Sequence, residues 1–404
     1  MVLLCLKIIF MVTVEEAKDL INTHTEVLEV QKIRVSEALG YVLAEDIFSK
    51  IDIPGYPQSA MDGYAVNTDG NIVIGDQFEV VAEVQAGDVN LHAIQHGEAA
   101  RIFTGAPVPD GATTVVIQEV VERNEETILV QKDVRYGANI RARGEQIMTG
   151  DTGLQNGTKI TPAAMGFLAM MGYDRVKVYR KPVIHLVVTG DELVQPGKEL
   201  QHGQIYESNS VTICGAVQSY GFEVTEVKFV KDTYEDTLKS LKASLEAADV
   251  VLASGGISVG DYDFVGKAFK ELGVEEIFYK IKQKPGKPMF YAKHGNTAVF
   301  ALPGNPASAL TGFYQYVLPC LDKMIGLGFS GLKTKWVKMT DSFKKKGDRA
   351  QFLKGFVTDA GVEVLEGQSS AMMYSYAITN SIIYIPQDKM EVNAGEEVMV
   401  YLLE

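Results

Sequence analysis

The stretch VLASGGISVGDYDFV, residues 251–265, runs from an apolar segment into a loop of glycines and serines that closes on two aspartates. Glycines let the main chain approach a ligand closely, and the serine hydroxyls add hydrogen-bond donors. The residues suited to contact a phosphate are Ser254, Gly255, Gly256, Ser258 and Gly260. The loop matches neither G-x-x-x-x-G-K-[ST] nor G-x-G-x-x-G. It predicts an anion-binding turn, with a plain tight connection as the alternative.

Other polar loops follow apolar segments in the same part of the chain. TGDEL begins with Thr189 and Gly190, KDTYED contains Asp232, and LPGNPAS carries Pro303, Gly304, Asn305 and Pro306. Asn305 or the turn after it starts a predicted helix, with Pro306 at the first helical position. Because the carboxyl ends of parallel strands meet at one sheet edge, these loops predict a single substrate cleft.

Acidic residues accompany these loops. They are Asp191, Glu192, Asp232, Asp261 and Asp263. Carboxylates beside a phosphate repel it unless a hard cation lies between them, and Mg²⁺ bound by one or two carboxylates is the usual solution. The alternative for Asp232 is a residue leading into a capping box at Thr233, and for Asp261 a helix cap.

Lysines are concentrated in YKIKQKPGKPMFYAK. Lys280, Lys282 and Lys284 have strand spacing, which predicts that they share one face, and Lys287 follows a Pro-Gly turn. They form a positive surface for an anion or, alternatively, a solvated edge strand. The KKKGD run around Lys345 is expected to be a solvated loop.

Composition limits the possible functions. The net charge of −14 argues against general nucleic-acid binding. Three widely separated cysteines favour neither a disulfide framework nor a zinc site, and they fit a reducing cytoplasm. No segment approaches the roughly 20 apolar residues of a membrane span. Residues 1–10 resemble the start of a signal peptide, but Lys7 interrupts them, and we expect a dispensable extension.

The length of the chain, 404 residues, and the changing pattern of apolar and turn-forming residues along it predict a multidomain α/β plus β protein. A capping box from Thr13 to Glu16 and the apolar spacing in VSEALGYVLAEDI indicate helices near the N-terminus. The predicted domains are a helical domain (11–53 and 146–180), an inserted β domain (54–145), an α/β domain with a parallel sheet (181–328) and a terminal β-barrel or sandwich (329–404).

An ordered set of motifs resembles a known family. The motifs are PQSAMDGYAV, FTGAPVPDGA, IRARGEQI, VTGDEL, SGGISVGDYD, KPGKP and LPGNPAS. Together they resemble the molybdopterin molybdenumtransferases, called MoeA in bacteria and related to the E-domain of gephyrin. The resemblance implies a helical linker domain, an inserted β domain, a molybdopterin-binding α/β domain and a C-terminal β-barrel. It also implies a homodimer in which the β domain of one chain faces the α/β domain of the other.

The resemblance further implies an activity. Family members use adenylylated molybdopterin and molybdate, cleave the pyrophosphate linkage in an Mg²⁺-dependent step and release AMP. By motif, the catalytic residues are Asp62, Glu192, Asp232, Asp263, Lys284 and Lys287. Pro303 and Pro306 match the substrate loops, while Arg349 with Ser369 or Ser370 matches the molybdate region.

One position departs from the family pattern. Gln146 stands where an aspartate is expected, so Glu145 is the substitute metal ligand beside Glu192, Asp232 and Asp263. A transient contact with molybdopterin adenylyltransferase is expected. The alternatives are a pyrophosphatase acting on another nucleotide and a non-catalytic scaffold. Molybdate and tungstate are not distinguished.

Overall fold

The computed structural model describes residues 11–90, 92–256 and 264–403. The expected extension at 1–10 lies outside the described residues. The described chain forms two compact units. The larger unit contains residues 11–31, 40–44 and the described part of 178–403, and the smaller contains 32–39 and the described part of 45–177.

The smaller unit is built on a six-stranded sheet. In spatial order its strands are Thr114–Ile117, Gly63–Val66, Glu98–Ile102, Gln77–Val84, Thr127–Val130 and Val121–Asn124. Alternate side chains enter two apolar clusters, one around Val66 and Val116 and the other around Ala65 and Val115. This alternation is the period of two expected for strands with both faces covered.

Shorter elements complete the smaller unit. They are the paired strands Ile47–Phe48 and Thr152–Leu154, the paired strands Gln58–Ser59 and Ile140–Arg141, the 3₁₀ turns Val35–Glu37 and Gln118–Val120, and the helix Pro162–Met170. The strands Val30–Arg34 and Arg175–Tyr179 lie where the chain passes between units.

The helix expected in VSEALGYVLAEDI is wrong. Only Val35–Glu37 is helical, as a single 3₁₀ turn. Gly40 follows with φ of +75°, a conformation outside the α-helix, and Leu43 then forms a β-bridge. The apolar residues Val42 and Leu43 are buried all the same. The apolar residues that suggested a helix are therefore buried by a 3₁₀ turn and a β-bridge instead.

The larger unit contains a six-stranded sheet with helices on both faces. In spatial order its strands are Val224–Val230, Ile184–Thr189, Val250–Ser254, Thr297–Leu302, Pro288–His294 and Glu275–Lys280. The first four are parallel, as expected. The last two run antiparallel, so the sheet is mixed, and the expected parallel sheet accounts for four of its six strands.

Helices cover this sheet and tie it to the N-terminal segment. Among the described residues they are Val14–His24, Asn209–Ser219, Tyr234–Ala247, Phe264–Glu271, Pro306–Gly312, the π-helical Phe313–Val317 and Leu318–Met324. The predicted capping box is confirmed: Glu16 N–H donates to Thr13 Oγ1 at 3.1 Å, and Thr13 N–H donates to Glu16 Oε2 at 2.8 Å. A short parallel pair, Leu193–Val194 and Ile205–Tyr206, flanks the sheet edge.

The lysine run does not form one strand. Lys280 ends the antiparallel edge strand, whereas Gln283–Lys284 pairs with Ala350–Thr358 in a different sheet. Between them, Lys282 N–H donates to the Val12 carbonyl at 2.8 Å. The expectation that all three lysines share one face is therefore wrong, because the chain changes sheets inside the run.

A second sheet of the larger unit is made mainly of the C-terminal residues. Its strands are Gln283–Lys284, Ala350–Thr358, Ser381–Ile385, Glu397–Leu402 and Thr334–Lys338, with Gly361–Val364 also pairing to the second. A β-bridge between Met339, which follows Thr334–Lys338, and Val362 connects the last strand of this order to Gly361–Val364. The short pair Phe343–Lys344 and Glu391–Val392 and the helix Tyr374–Ala377 complete the segment.

Lys345 is not in a solvated loop. Its side chain is 2% exposed, and its Nζ donates to the carbonyls of Pro386 at 2.7 Å and Gln387 at 2.6 Å. Neighbouring Lys344 and Lys346 are exposed, so only the middle lysine of the KKKGD run is buried.

No helix within the described ranges combines the length and apolarity needed to cross a bilayer.

Candidate active site

A cleft of about 810 Å³ lies at the carboxyl ends of the parallel strands in the larger unit. We call it the sheet-edge cleft. It brings together most of the loop residues that the sequence singled out, namely Thr189, Gly190, Glu192, Asp232, Ser254, Gly255, Gly256, Lys287, Pro303, Gly304, Asn305 and Pro306. Parallel strands explain this convergence, because their carboxyl ends lie at the same edge and the helices that follow begin there.

The glycine turn packs directly on the first loop. Gly255 and Gly256 have φ of +92° and +62°, conformations that L side chains rarely adopt. A Cβ on Gly255 would lie 2.4 Å from the Thr189 carbonyl oxygen, and one on Gly256 would lie 2.8 Å from Val265 Cγ2. Glycine is required here by both backbone and space. Ser258, Gly260, Asp261 and Asp263 lie outside the described residues.

Asn209 joins two of the loops and was missed by the sequence reading. Its Nδ2 donates to Ser254 Oγ at 2.8 Å and to the Gly304 carbonyl at 2.9 Å. The sequence carried a signal for Asn209, because ESNS lies at the start of the helix Asn209–Ser219, which comes after the strand Ile184–Thr189 of the same sheet. Glu207, 1% exposed, was also missed, and its carboxylate accepts from Ser210 N–H at 2.7 Å in the first turn of that helix.

Two buried polar side-chain atoms lie in the wall of the sheet-edge cleft. Thr189 Oγ1 and Asn209 Oδ1 are buried and have no hydrogen-bond partner among the described residues. Such atoms are nearly always paired in native proteins. Tyr206 and Tyr279, two further lining residues that sequence reasoning missed, add aromatic surface. The cleft therefore suits a ligand with both polar groups and a ring system.

Negative charge is concentrated at one end of the sheet-edge cleft. Asp191 and Asp232 each donate a main-chain N–H to the carboxylate of the other, at 3.3 and 3.1 Å. Burial raises the pKa of Asp232, the N–H of Asp191 opposes this, and the charges of Asp191 and Glu192 raise it further. A bound cation would relieve this repulsion, so the arrangement fits a magnesium ion.

Glu192 and Asp232 are the two predicted metal ligands that line the cleft. Within residues 11–90, 92–256 and 264–403, no group of three or more His, Cys, Asp or Glu side chains forms a ready metal cage. Asp263, the third predicted ligand from this part of the chain, is not among the described residues. Two protein carboxylates with substrate phosphates completing the shell is the usual form of a Mg²⁺ site.

Asp62 and Glu145 belong to the smaller unit. Asp62 Oδ1 accepts hydrogen bonds from both the N–H and the hydroxyl of Thr104, each at 2.7 Å. These bonds lower the pKa of Asp62, the N–H contributing most, and nearby Arg101 acts in the same direction. Asp62 is exposed, so it is an ionised carboxylate held in a defined orientation and open to a ligand.

Glu145 occupies a tight turn. Its carboxylate accepts from Ala142 N–H at 3.1 Å, while Gln146 N–H donates to the Ile53 carbonyl at 2.9 Å. Arg143 pairs with buried Asp52 at 2.5 Å. The N–H and hydroxyl of Thr149, followed by Arg143, lower the pKa of Asp52 to about 2. The guanidinium of Arg143 thus has a partner within the unit.

A second cavity of about 600 Å³, which we call the basic pocket, adjoins the cleft in the larger unit. Its wall contains Lys284, Lys287, Arg349, Gln368, Ser369 and Ser370, and it shares Lys287, Pro288, Pro303 and Asn305 with the sheet-edge cleft. The lining carries three cationic side chains and no carboxylate among the described residues. Asn305 Nδ2 donates to Ser370 Oγ at 3.1 Å and so links the two cavities. Such a wall suits a small anion.

Comparison with family models divides the chain into three matches. Residues 12–172 match the MoeA N-terminal region (domain I and II), residues 185–323 match a probable molybdopterin binding domain, and residues 337–403 match the MoeA C-terminal region (domain IV). The sheet-edge cleft is thus built largely from the second match.

Whole proteins are similar over nearly the full length. A molybdopterin molybdenumtransferase of Staphylococcus epidermidis is 33% identical over 402 residues, covering 97% of this chain and 96% of the relative. One from Haemophilus influenzae is 35% identical over 391 residues, covering 94% of each. The crystal structure of a molybdopterin biosynthesis MoeA protein from Pyrococcus horikoshii has a TM-score of 0.81 at 28% identity, covering 97% of this chain and all 100% of that one. The chain belongs to the molybdopterin molybdenumtransferase (MoeA) family.

Proposed function

We propose that this protein inserts molybdenum into adenylylated molybdopterin, cleaving the pyrophosphate linkage and releasing AMP. The observation that carries the proposal is the adjacency of two cavities of different character. The sheet-edge cleft has acids and glycine loops, and the basic pocket has three cations and two serines. A nucleotide-linked substrate and an oxyanion need such neighbouring sites, and a plain nucleotide pyrophosphatase has no use for the second.

The sheet-edge cleft would hold the adenylylated molybdopterin. Its volume is within the range of roughly 300–1,000 Å³ typical of small-molecule sites. The turn at Gly255 and Gly256 and the loop from Pro303 to Pro306 would position phosphates by close main-chain approach. Thr189 Oγ1 and Asn209 Oδ1 would gain their hydrogen-bond partners from the substrate. Ser258 and Gly260, outside the described residues, belong to the same proposal by motif.

Magnesium belongs to the proposal through the acids. Glu192 and Asp232 would hold the ion, with Asp263 as a further ligand by motif; Glu145, the other metal ligand that the resemblance implies, belongs to the smaller unit. The ion would supply charge neutralisation at the pyrophosphate. Lys287 lines both cavities and would stabilise the negative charge that develops as the P–O bond to AMP breaks, with molybdate or water as the attacking oxygen.

The basic pocket would hold the oxyanion. Arg349, Lys284 and Lys287 would supply positive charge, and the hydroxyls of Ser369 and Ser370 would donate to oxygen atoms. Arg349 Nη1 also donates to the Gln283 carbonyl at 3.3 Å, which fixes the guanidinium at the wall. Molybdate and tungstate have the same shape and charge, and the test below includes both.

The family also suggests how chains assemble. We propose a homodimer of four-domain chains, each with a helical linker domain, an inserted β domain, a molybdopterin-binding domain and a C-terminal β-barrel, in a cytoplasmic setting. Asp62 of one chain would then complete the site formed by the sheet-edge cleft of the other. A transient contact with molybdopterin adenylyltransferase would deliver the substrate.

The decisive test is incubation of the purified chain with adenylylated molybdopterin and Mg²⁺. AMP release is measured without oxyanion, with molybdate and with tungstate, and bound metal in the product is counted. Oxyanion-dependent AMP release with metal in the product is expected. AMP release at the same rate with and without either oxyanion would indicate a pyrophosphatase. No AMP release would indicate a scaffold.

A further inference from the structure

Lys354 is a buried lysine directly behind the wall of the basic pocket. Its side chain is 4% exposed, in the strand Ala350–Thr358. Its Nζ donates to three main-chain carbonyls of one loop, those of Gly367 at 2.7 Å, Ser369 at 3.3 Å and Met372 at 3.3 Å. Burial lowers the pKa of Lys354, and the carbonyl oxygens replace part of its lost hydration.

The loop that surrounds this ammonium forms part of the pocket. Gln368, Ser369 and Ser370 line the basic pocket, and Ala371 lines the sheet-edge cleft. In a planar trans peptide the N–H points opposite to the C=O. Because the carbonyls of Gly367 and Ser369 point at Lys354, the N–H groups of the residues that follow them point away from it. Those N–H groups belong to two lining residues, Gln368 and Ser370.

Further contacts hold the same loop from the same side. Gln368 Oε1 accepts from Lys354 N–H at 3.0 Å, and its Nε2 donates to the Lys354 carbonyl at 2.9 Å. Ser375 Oγ donates to the Gly367 carbonyl at 2.7 Å and to the Met372 carbonyl at 3.3 Å. The carbonyl ends of the loop are therefore gathered on one face around a positive charge, which leaves the N–H ends for the other face.

We infer that Lys354 is a positioning residue for oxyanion binding: by holding the carbonyls of loop 367–372, it presents the main-chain N–H groups of Gln368 and Ser370 to a tetrahedral oxyanion in the basic pocket. This inference rests on the proposed function, which places the oxyanion there. Main-chain N–H groups that line one pocket can bind the same anion, and ordering them before binding strengthens the site. The serine hydroxyls lie on the same loop, so Lys354 positions them as well.

The chain supplies a matched control. Lys345 is also buried, lies near the same C-terminal sheet, and holds carbonyls of a different loop, those of Pro386 and Gln387. It lines neither cavity. Replacing either lysine by methionine removes a buried ammonium and leaves carbonyls unpaired, so both variants should lose stability. Only the loop held by Lys354 contributes to the basic pocket.

The experiment measures binding of sodium molybdate to the full-length chain by isothermal titration calorimetry, together with KM values for molybdate and adenylylated molybdopterin. Lys354→Met should raise the molybdate Kd and KM about tenfold, since hydrogen bonds to a charged ligand are lost. The KM for adenylylated molybdopterin should change less than about twofold, because Ala371 is the one residue of loop 367–372 that lines the sheet-edge cleft. Lys345→Met should leave the molybdate Kd unchanged even where its melting temperature falls equally.

If Lys354→Met does not fold, Ser375→Ala tests the same loop and should raise the molybdate Kd about threefold. The inference alone is overturned if wild type binds molybdate and the variant that folds binds it equally well. It is also overturned if Lys345→Met weakens molybdate as much as Lys354→Met does. A wild-type chain that neither binds molybdate nor releases AMP would overturn the proposed function and the inference together.

Discussion

The side-chain amide of Asn209 donates a hydrogen bond to the hydroxyl of Ser254 at 2.8 Å. A second bond from the same Nδ2 reaches the Gly304 carbonyl at 2.9 Å. The first residue of one helix thereby ties together two loops that follow two different strands of the sheet. Asn209 therefore connects two parts of the wall of the sheet-edge cleft.

Removing the link should loosen substrate binding. Asn209→Ala deletes both bonds and the buried Oδ1, and we expect the KM for adenylylated molybdopterin to rise about tenfold. Ser219→Ala is the control, because it removes a hydrogen bond of 2.9 Å at the other end of the same helix. Steady-state AMP release measures both. A similar KM in the two variants would show that Asn209 is only structural.

Magnesium should act through Asp232 in a pH-dependent way. The folded state raises the pKa of Asp232 above its ordinary value of 3.8, so ionising this group opposes folding. This penalty is complete above the raised pKa and is lost as pH falls below the ordinary value. Since only the ionised carboxylate binds metal, Mg²⁺ should raise the melting temperature more at pH 7 than at pH 4.

The matched variants separate this effect from general charge. Asp232→Asn should be slightly more stable than wild type without metal and should lose most of the Mg²⁺ response. Glu235→Gln makes the same charge change at an exposed position nearby and should keep the response. Full AMP release after exhaustive chelation would contradict the roles given to the carboxylates.

Charge reversal in the basic pocket should weaken oxyanion binding. Lys284→Glu places a carboxylate in a wall that otherwise carries Arg349 and Lys287, and we expect at least a roughly tenfold weaker molybdate Kd. The control is Lys335→Glu on the exposed face of the strand Thr334–Lys338, not a change at buried Lys345. If calorimetry gives the same molybdate Kd for Lys284→Glu and Lys335→Glu, Lys284 is a solvated surface lysine that does not contribute to oxyanion binding.

A shared site predicts complementation between chains. Asp62→Ala and Asp263→Ala should each be folded and nearly inactive, because each removes one of the proposed catalytic acids. Mixing the two by unfolding and refolding should restore roughly a quarter of wild-type AMP release, since about half the dimers are mixed and each has one intact site. If mass spectrometry finds mixed dimers that stay inactive, both acids act within one chain.

Local chemistry was enough to predict the loops of the cleft. Glycines at Gly255 and Gly256 and the Asn305–Pro306 helix start follow apolar strands, and such signals depend only on neighbouring residues. The order of parallel strands and helices then follows from their alternation along the chain, so the sequence placed these loops at one edge of a sheet. The family was also readable, because its motifs are contiguous stretches.

Tertiary structure decided what depends on distant partners. Lys280 and Lys284 differ by four positions but enter different sheets, because the strands that pair with them lie far along the chain. Lys345 and Lys354 look like surface lysines in sequence, yet carbonyl groups of remote loops accept their hydrogen bonds and allow them to be buried. The buried environment of these side chains is a property of packing between segments, and no local pattern of residue types records it.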